Sequence, residues 1–384
     1  MTSAKKTTRL ADDQQAADRE YLSRCLRLAA RARGATSPNP MVGALVVQGD
    51  QVVAQAYHHK AGTSHAEHLA LAAAQDAARG ATLYTNMEPC CHHGNTPPCV
   101  EGILGAGVSR VVVSMADPDP RVNGQGIAAL RAAGIEVAVG ELAVEASRLN
   151  EAYVTFKREG RPFIIAKAAL SLDGRLATRH RQSQWITGEV ARQRAHRLRG
   201  LSDVVMVGVG TVMSDDPRLT ARHGRPRGPR LRVVLDSHLR TPVDSKMLGT
   251  PGGHVLLFTT AAAPPGQRQQ LESAGAEVQV VGADARGRVA WEPVLADLAR
   301  RGMMSVLLEG GSDVLTSAFE ADIIDKVFLI YAPLLIGGSA ALPLWGGDGI
   351  DSLDAAPRLC HIRRSRLGED WAVEGYIHSP RLID

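Results

Sequence analysis

The sequence lacks any long apolar run. No hydrophobic stretch in its 384 residues approaches the length that a membrane-spanning helix needs. The first twenty or so residues also lack the apolar segment of a secretory signal peptide. We therefore expect a cytoplasmic protein that does not cross a membrane.

Cysteine is scarce as well. The chain has five cysteines, an odd number, and three of them fall within residues 88–99, in "EPCCHHGNTPPC". A disulfide framework uses paired cysteines in an oxidising compartment, whereas crowded thiolates are typical of metal binding or catalysis. The pattern favours the second interpretation.

Aromatic side chains make up only 4% of the residues, which is few for a protein that stacks nucleobases. The net charge is +4, and arginines cluster in residues 191–200 and 221–232. Such clusters are typical of a solvated surface, and alternatively of a site for a nucleic-acid, substrate or cofactor phosphate.

Strands and helices alternate along most of the chain, which predicts layered α/β architecture. Residues 18–34 have helical spacing, and residues 41–58 read as a hairpin that turns at Gly49 and Asp50. A helical stretch over 144–160 ends at Gly160, after which the alternation begins again. We expect two domains, at residues 15–160 and 161–384.

The segment "GTSHAEHLALAAA" runs from a polar turn into a helix. Ser64 and Glu67 fit a capping box, which would explain both residues structurally and leave His65 and His68 on the surface. Alternatively, His65 supplies a metal ligand from the start of the helix, and Glu67 serves as a proton shuttle from the same turn.

A catalytic zinc site has three protein ligands and one open position. Cys90 follows the strand "ATLYTNM", where loops build sites in α/β sheets. Cys99 follows "TPP", in which Thr96 would cap a helix that has Pro97 in its first turn. A helix N-terminus stabilises a thiolate, the form that binds a metal.

Neighbouring side chains complete this loop. Cys90 and Cys91 are adjacent and would point to opposite sides of an extended segment, so one of them is a bystander. His92 and His93 are possible further ligands by residue type alone, but they are better explained as polar groups that line a substrate pocket. An exposed loop would explain them about as well as the pocket does.

The second half contains two glycine-containing turns that follow buried strands, in "DVVMVGVGTVMSDDP" and "SVLLEGGSDVLTSAF". Backbone N–H groups in such turns bind phosphate. Neither turn has the complete G-x-G-x-x-G pattern, and each alone is also compatible with an ordinary strand-to-helix turn. Two of them in one domain favour a nucleotide ligand.

The arrangement H-x-E…P-C…C is the signature of zinc-dependent deaminases, here with eight residues between Cys90 and Cys99 instead of two. With "TSPNPMVGALVV", "ADPDPRVNGQGI", "SLDGR", "SQWITG", "TVMSDDPRLTAR", "RVVLDS" and "LLEGG", the sequence closely resembles the bifunctional riboflavin-biosynthesis deaminase/reductases. The resemblance extends from about Tyr21 nearly to the C-terminus.

The resemblance implies a cytidine-deaminase-like α/β/α domain followed by a dihydrofolate-reductase-like α/β domain. It implies Zn²⁺ bound by His65, Cys90 and Cys99, with Glu67 as the proton shuttle. Cys91 stands where the family usually has Ser, which supports the bystander interpretation. Asn95 departs from the family, which usually has a basic residue there that would suit the substrate's phosphate.

For the second domain the resemblance implies NADPH as the hydride donor. It places Lys167 as a catalytic residue on the strand that enters the site. The residues implied to bind the cofactor are Ala169, Trp185, Thr211, Asp215, Ser237 and Gly311, and those implied to bind the substrate are Ser183, Arg199, Arg222 and Glu309.

The activity implied is hydrolytic deamination of 2,5-diamino-6-ribosylamino-4(3H)-pyrimidinone 5′-phosphate, followed by reduction of the ribosyl side chain to ribityl. We expect a small-molecule substrate, no nucleic-acid or membrane partner, and a homodimer or homotetramer. The alternatives are a nucleic-acid deaminase with a C-terminal binding module, and a protein whose zinc is structural and held by four ligands.

Overall fold

A computed structural model describes residues 2–93, 97–222 and 230–378, with side chains from Asp12 onward. The chain divides into two compact units between Glu159 and Gly160. Each unit surrounds a sheet of its own with helices. Among the residues described, no helix is both long and apolar enough to cross a membrane.

The sheet of the first unit has five strands: β1 (Gly43–Gln48), β2 (Gln51–Tyr57), β3 (Thr82–Thr85), β4 (Arg110–Val113) and β5 (Glu136–Val139). Their order is β2-β1-β3-β4-β5, antiparallel around β1 and parallel from β3 to β5. The predicted hairpin forms as β1 and β2, and Gly49 takes a left-handed backbone at φ 58° in its turn.

The helices of this unit are α1 (Thr2–Ala29), α2 (Ala66–Ala74), α3 (Cys99–Ala106), α4 (Gln125–Ala132), α5 (Ala143–Leu149) and α6 (Glu151–Glu159). Helix α1 buries Leu22, Cys25 and Leu28 against Leu45 and Tyr84 of the sheet, as its apolar spacing predicts.

The helical stretch predicted over residues 144–160 is two helices, not one, because Asn150 interrupts it between α5 and α6. The side-chain oxygen of Asn150 accepts a hydrogen bond from the Met41 N–H at 2.7 Å, and its nitrogen donates to the Met41 carbonyl at 3.1 Å. This amide therefore attaches the helix junction to the segment before β1.

The second unit has a nine-stranded sheet and a small two-stranded one. The large sheet contains β6 (Phe163–Ser171), β8 (Val204–Gly208), β9 (Leu231–Leu235), β10 (His254–Thr259), β11 (Glu277–Val280), β12 (Ser305–Glu309), β13 (Lys326–Ala332), β15 (Cys360–Leu367) and β16 (Asp370–Tyr376). The small sheet pairs β7 (Arg175–Ala177) with β14 (Leu342–Pro343).

The order of the large sheet is β11-β10-β9-β8-β12-β6-β13-β16-β15, parallel except at the β16 and β15 end. Its helices are α7 (Glu189–Leu201), α8 (Val209–Asp215), α9 (Lys246–Gly249), α10 (Pro265–Ser273), α11 (Trp291–Arg300) and α12 (Ser312–Glu320). Strands β8, β12 and β6 are neighbours, so the loops at their carboxyl ends meet at one edge, where ligands bind in such sheets.

Candidate active sites

Three potential metal ligands meet in the first unit. His65 is the residue that precedes α2, Cys90 lies in the loop after β3, and Cys99 is the first residue of α3. The His65 Nδ1 atom lies 3.2 Å from the Cys99 Sγ and 3.6 Å from the Cys90 Sγ. All three ligand atoms lie within 4.8 Å of one another, and one nitrogen with two sulfurs is a donor set that suits zinc.

The two thiols of this cluster interact directly. A hydrogen bond from Cys99 lowers the pKa of Cys90 to about 4, and the same contact with Cys90 raises the pKa of Cys99. The Cys99 backbone N–H also donates to the Cys90 sulfur at 3.3 Å. Metal binding displaces the protons of cysteine ligands. Two sulfurs that are close enough to share one proton are therefore also placed to bind one cation.

Glu67 lies beside this cluster in the first turn of α2 and is only 3% exposed. Its Oε2 atom is buried and has no hydrogen-bond partner among the residues described. Burial raises the pKa of this carboxyl to about 7. The capping-box alternative is wrong, because His65 precedes the helix directly and no side chain caps it.

The start of α3 differs from the prediction. The residue that precedes the helix is Pro98, so Pro97 lies before the helix and not in its first turn. The predicted cap Thr96 lies outside the residues that the structure describes. So does Asn95, the position at which the family usually has a basic residue.

The remaining side chains of the loop lie in three different surroundings. Cys91 is half-buried and is not part of the ligand cluster. His92 lines the cavity next to the cluster, and its Nδ1 atom is buried without a partner among the described residues. His93 is exposed, and its ring lies 3.8 Å from Glu101.

A cavity of about 190 Å³ opens beside His65, Glu67 and Cys90. Its wall includes polar side chains to which the sequence analysis gave no role, namely Asn39, His58, Asp117, Asp119, Tyr153 and Lys157. The two aspartates belong to "ADPDPRVNGQGI", so the signal that was available was a pair of carboxylates in a loop that follows a buried strand.

The aspartates have opposite electrostatic surroundings. Burial raises the pKa of Asp117 to about 6, although Tyr153 donates a hydrogen bond to it at 3.0 Å. Arg121 and Lys157 both pair with Asp119 and lower its pKa. Glu88 fixes their loop by accepting hydrogen bonds from three backbone N–H groups, those of residues 117, 124 and 127.

In the second unit, the two glycine-containing turns meet. The Gly311 N–H donates to the Thr211 Oγ1 at 3.1 Å, which joins the turn after β12 to the one after β8. The segment from Gly208 to Thr211 is not an open loop as expected, because α8 begins directly at Val209. Ser183 donates to Asp215 at 3.3 Å, so these two implied ligand-binding residues are also in contact.

A buried ion cluster joins the carboxyl end of β12 to the middle of β6. Glu309 and Lys167 are register partners on these strands, with the carboxylate 3.8 Å from the ammonium. Arg199 donates two hydrogen bonds to Glu309, at 2.8 and 2.7 Å. Burial alone would raise the pKa of Glu309, but Arg199 and Lys167 outweigh it and lower the pKa to about 2. Burial lowers the pKa of Lys167.

Arg222 reaches the same region through a histidine that the sequence analysis did not single out. The His196 Nε2 atom lies 3.3 Å from the Arg222 guanidinium, and its Nδ1 atom lies 3.1 Å from the Thr220 carbonyl. Burial and the charges of Arg199 and Arg222 lower the pKa of His196 to about 4. A neutral imidazole therefore separates the two arginines.

Other implied cofactor residues lie apart from these contacts. Trp185 is 69% exposed, and the Arg192 guanidinium lies 4.7 Å from the centre of its ring. Ala169 is half-buried on β6. Ser237 follows β9, and its Oγ accepts a hydrogen bond from the Val289 N–H.

Two families match the chain by sequence. The family described as the cytidine and deoxycytidylate deaminase zinc-binding region matches residues 15–115, and the RibD C-terminal domain matches residues 162–373. The riboflavin biosynthesis protein RibD of Actinobacillus pleuropneumoniae is 38% identical over 94% of this chain and 96% of its own. The Escherichia coli K12 protein of the same name is 34% identical over 92% and 97%.

Solved structures give the same result. RibD of Acinetobacter baumannii, in form 1, superposes with a TM-score of 0.85 at 32% identity, covering 94% of this chain and 99% of that one. A diaminohydroxyphosphoribosylaminopyrimidine deaminase/5-amino-6-(5-phosphoribosylamino)uracil reductase from Thermotoga maritima gives 0.83, with the same identity and coverage. The likeness therefore spans both units.

Proposed function

This chain belongs to the RibD family and is a bifunctional deaminase and reductase of riboflavin biosynthesis, and from that premise we propose its substrate, site residues and reaction order. Its cofactors are zinc and NADPH. The substrate that we propose is 2,5-diamino-6-ribosylamino-4(3H)-pyrimidinone 5′-phosphate. Residues 15–160 deaminate it, and residues 161–384 then reduce the product.

In the first reaction, water adds to the ring carbon that bears the amino group to be removed. The bond between this carbon and the amino nitrogen then breaks, ammonia leaves, and the carbon becomes a carbonyl. Bound zinc, held by His65, Cys90 and Cys99, supplies Lewis acidity that makes water a nucleophile near neutral pH. Glu67 accepts a proton from the water and returns it to the leaving amine. A buried carboxyl with a free oxygen and a pKa of about 7 suits both steps.

The cavity wall orients the pyrimidine and its ribosyl phosphate. Next to the ligand cluster, His58 is 2% exposed and uses both ring nitrogens within the protein, one with the Asn39 amide nitrogen at 3.2 Å and one with the Ser64 carbonyl at 3.1 Å. His58 therefore orients Asn39, and we assign the hydrogen bond to the pyrimidine to the side-chain oxygen of Asn39.

Arg121 and Lys157 are the arginine and lysine side chains that line this cavity in the part of the chain described, and both pair with Asp119. We assign the substrate's phosphate to these two side chains, because, outside the ligand cluster, the other charged groups of the described wall are carboxylates.

In the second reaction, bound NADPH supplies the hydride that converts the ribosyl side chain to ribityl, and a proton from solvent completes the reduction. Thr211, Asp215 and Gly311, together with Trp185, Ala169 and Ser237, hold the cofactor. Glu309 holds Arg199 by a two-point ion pair, and Arg199 and Arg222 bind the substrate's phosphate with Ser183. Lys167 contacts the reacting end of the substrate.

We further propose a cytoplasmic homodimer or homotetramer with no nucleic-acid partner. All five cysteines are free, which suits a reducing compartment. Light scattering coupled to size-exclusion chromatography measures the oligomer directly, and a mass equal to one chain, 40.9 kDa, would contradict this part of the proposal.

The observation that carries the proposal is the ligand cluster with the buried Glu67 beside it, one oxygen of which has no partner among the described residues. The experiment is mass spectrometry of the products formed from the diaminopyrimidine ribosyl phosphate, with and without NADPH. Wild type gives deaminated product without NADPH and ribityl product with it. Glu67→Ala gives neither, but reduces the deaminated compound when that compound is supplied.

Absence of any mass change in the zinc-loaded wild type would contradict the proposed substrate. Ribityl product that still carries both amino groups of the 2,5-diamino substrate would contradict the proposed order. Glu101 is an exposed glutamate on α3, and Glu101→Ala controls for the loss of a carboxylate in the same unit. This variant should give the same products as wild type.

A further inference from the structure

A second histidine of α2 contacts the ligand cluster from outside it. His68 lies one helical turn after His65, so both side chains lie on the same side of the helix. The His68 Nδ1 atom is 3.5 Å from the Cys99 Sγ, which is hydrogen-bonding distance to sulfur. The ligand atoms that lie within 4.8 Å of one another are those of His65, Cys90 and Cys99, and His68 is not among them.

The protonation of the two partners fixes the direction of this hydrogen bond once a metal is bound. A cysteine that ligates zinc is a thiolate and can only accept. The Nδ1 atom of His68 must then carry the hydrogen and donate it to Cys99. Groups that hydrogen-bond to metal ligands orient them, and their loss typically weakens metal binding by about 10–100-fold.

The facing helix provides space for this ring. Gly102 of α3 is one turn after Cys99, and a Cβ atom at position 102 would lie 3.0 Å from the His68 Nε2 and 3.2 Å from its Cδ2. Real Cβ atoms rarely come this close, so a side chain at position 102 would force the imidazole to shift by a few tenths of an ångström. The hydrogen bond therefore depends on a residue pair, His68 on α2 and Gly102 on α3.

We propose that His68 is a positioning residue of the zinc site, which donates a hydrogen bond to the Cys99 thiolate and is seated for this purpose against Gly102. The inference rests on the proposed ligand set. His68 holds the Cys99 side chain in one orientation and stabilises its thiolate form, which is the form that binds a metal. It thereby strengthens zinc binding without being a ligand.

The test is the zinc affinity of the whole protein, measured by competition with a fluorescent chelator, together with the absorption spectrum of the cobalt-substituted protein. His68→Leu is expected to bind zinc about 10–100-fold more weakly. The sulfur-to-cobalt charge-transfer band is expected to shift, because its energy reports the electron density on sulfur. His68→Asn keeps an N–H near the Nδ1 position and is expected to recover most of the affinity.

Gly102→Ala tests the seating independently of any change to the histidine. Alanine in place of glycine favours a helix by about 0.5–1 kcal/mol, so this variant is expected to fold at least as well as wild type. It should nevertheless weaken zinc binding. In a His68→Ala background the same substitution should have no further effect, because no ring remains to be displaced.

Two results would overturn the inference. Zinc affinity and the cobalt band that stay unchanged in both His68→Leu and Gly102→Ala would remove any role of the contact. Cobalt d–d bands that report one ligand fewer in His68→Leu would make His68 a ligand instead. His59→Ala, which removes an exposed histidine of the same unit, is the control.

Cys99→Ser separates this inference from the proposed ligand set. If Cys99→Ser leaves zinc binding intact, the ligand set fails and the inference fails with it. If Cys99→Ser weakens zinc binding strongly while His68→Leu does not, the inference alone fails.

Discussion

Two buried glutamates, one in each unit, have opposite environments. Glu67 in the deaminase unit has an oxygen without a partner, and burial raises its pKa to about 7. Glu309 in the reductase unit is equally enclosed, but Arg199 and Lys167 overcome the effect of burial and lower its pKa to about 2. A glutamate is thus able to exchange a proton at neutral pH in the first site, whereas the glutamate of the second site stays charged at that pH.

The difference shows how each site uses a carboxylate. Hydrolytic deamination needs a group that gains and loses a proton in each cycle, so Glu67 is left without a counter-charge. Hydride transfer from a dinucleotide needs no such group from Glu309, whose charge instead holds in place Arg199, the arginine that we propose binds the substrate's phosphate. Removing the charge of each glutamate should therefore have different consequences.

The largest effect is expected for Glu67→Gln, which keeps the size of the side chain but cannot exchange a proton. Deamination should fall by about 10²–10⁴-fold, the usual contribution of general acid–base catalysis. Folding stability should stay the same or rise, because a carboxyl whose ionisation is opposed by burial is replaced by a neutral amide of the same size. The measurements are ammonia release and the melting temperature.

The matched substitution Glu101→Gln should leave both quantities unchanged, because Glu101 is exposed and its ion pair with His93 is long, at 3.8 Å. Full deaminase activity in zinc-loaded Glu67→Gln would contradict the role of Glu67 as the group that exchanges a proton during deamination.

Glu309→Gln should instead destabilise its unit. It leaves Arg199 and Lys167 buried without a counter-charge, which typically costs about 3–5 kcal/mol. All four tryptophans of the chain follow Gly160, so tryptophan fluorescence during urea unfolding reports this unit. An unfolding free energy equal to that of wild type would mean that the ion cluster does not hold the unit together.

Acid should reduce this difference between variant and wild type. Because the pKa of Glu309 in the folded chain is below its ordinary value of 4.5, its ionisation stabilises the fold above that pH. The contribution, about 3 kcal/mol for such a shift, is lost as the pH falls from 4.5 toward 2. Urea unfolding of both proteins at several pH values should show the two free energies converging; a constant gap would contradict the low pKa.

A smaller effect is expected at the exposed aromatic residue of the reductase unit. Trp185→Leu removes a ring that Arg192 contacts and that we assign to the cofactor. Ring-to-ring contacts contribute about 0.5–1.5 kcal/mol, so the KM for NADPH should rise roughly two- to tenfold. Since the side chain is largely exposed, stability should not change, and deamination should be unaffected.

Local patterns predicted much of the fold and of the metal cluster. The hairpin at Gly49 and the strand that precedes Cys90 follow from residues that are close in sequence. The C-terminal hairpin of β15 and β16 was not predicted. In "CHIRRSRL" nearly every residue is exposed at the sheet edge, so the strand shows no apolar alternation.

The contacts that sequence reasoning missed join distant segments. Asp119 and Lys157 form an ion pair because the loop after β4 and helix α6 reach one cavity, and no local pattern indicates that meeting. His68 acquires a partner only when α3 places Cys99 and Gly102 beside it. Spacing along one element predicts which face a residue occupies, but not what a second element brings to it.

The most direct test of the division of labour is to assay both half-reactions in both variants. Glu67→Gln should lose deamination and keep reduction of the supplied deaminated compound. Glu309→Gln should keep deamination and lose reduction. If either substitution abolished both half-reactions in protein that still binds zinc, or if Glu67→Gln deaminated normally, the account of two independent sites with opposed carboxylates would be contradicted.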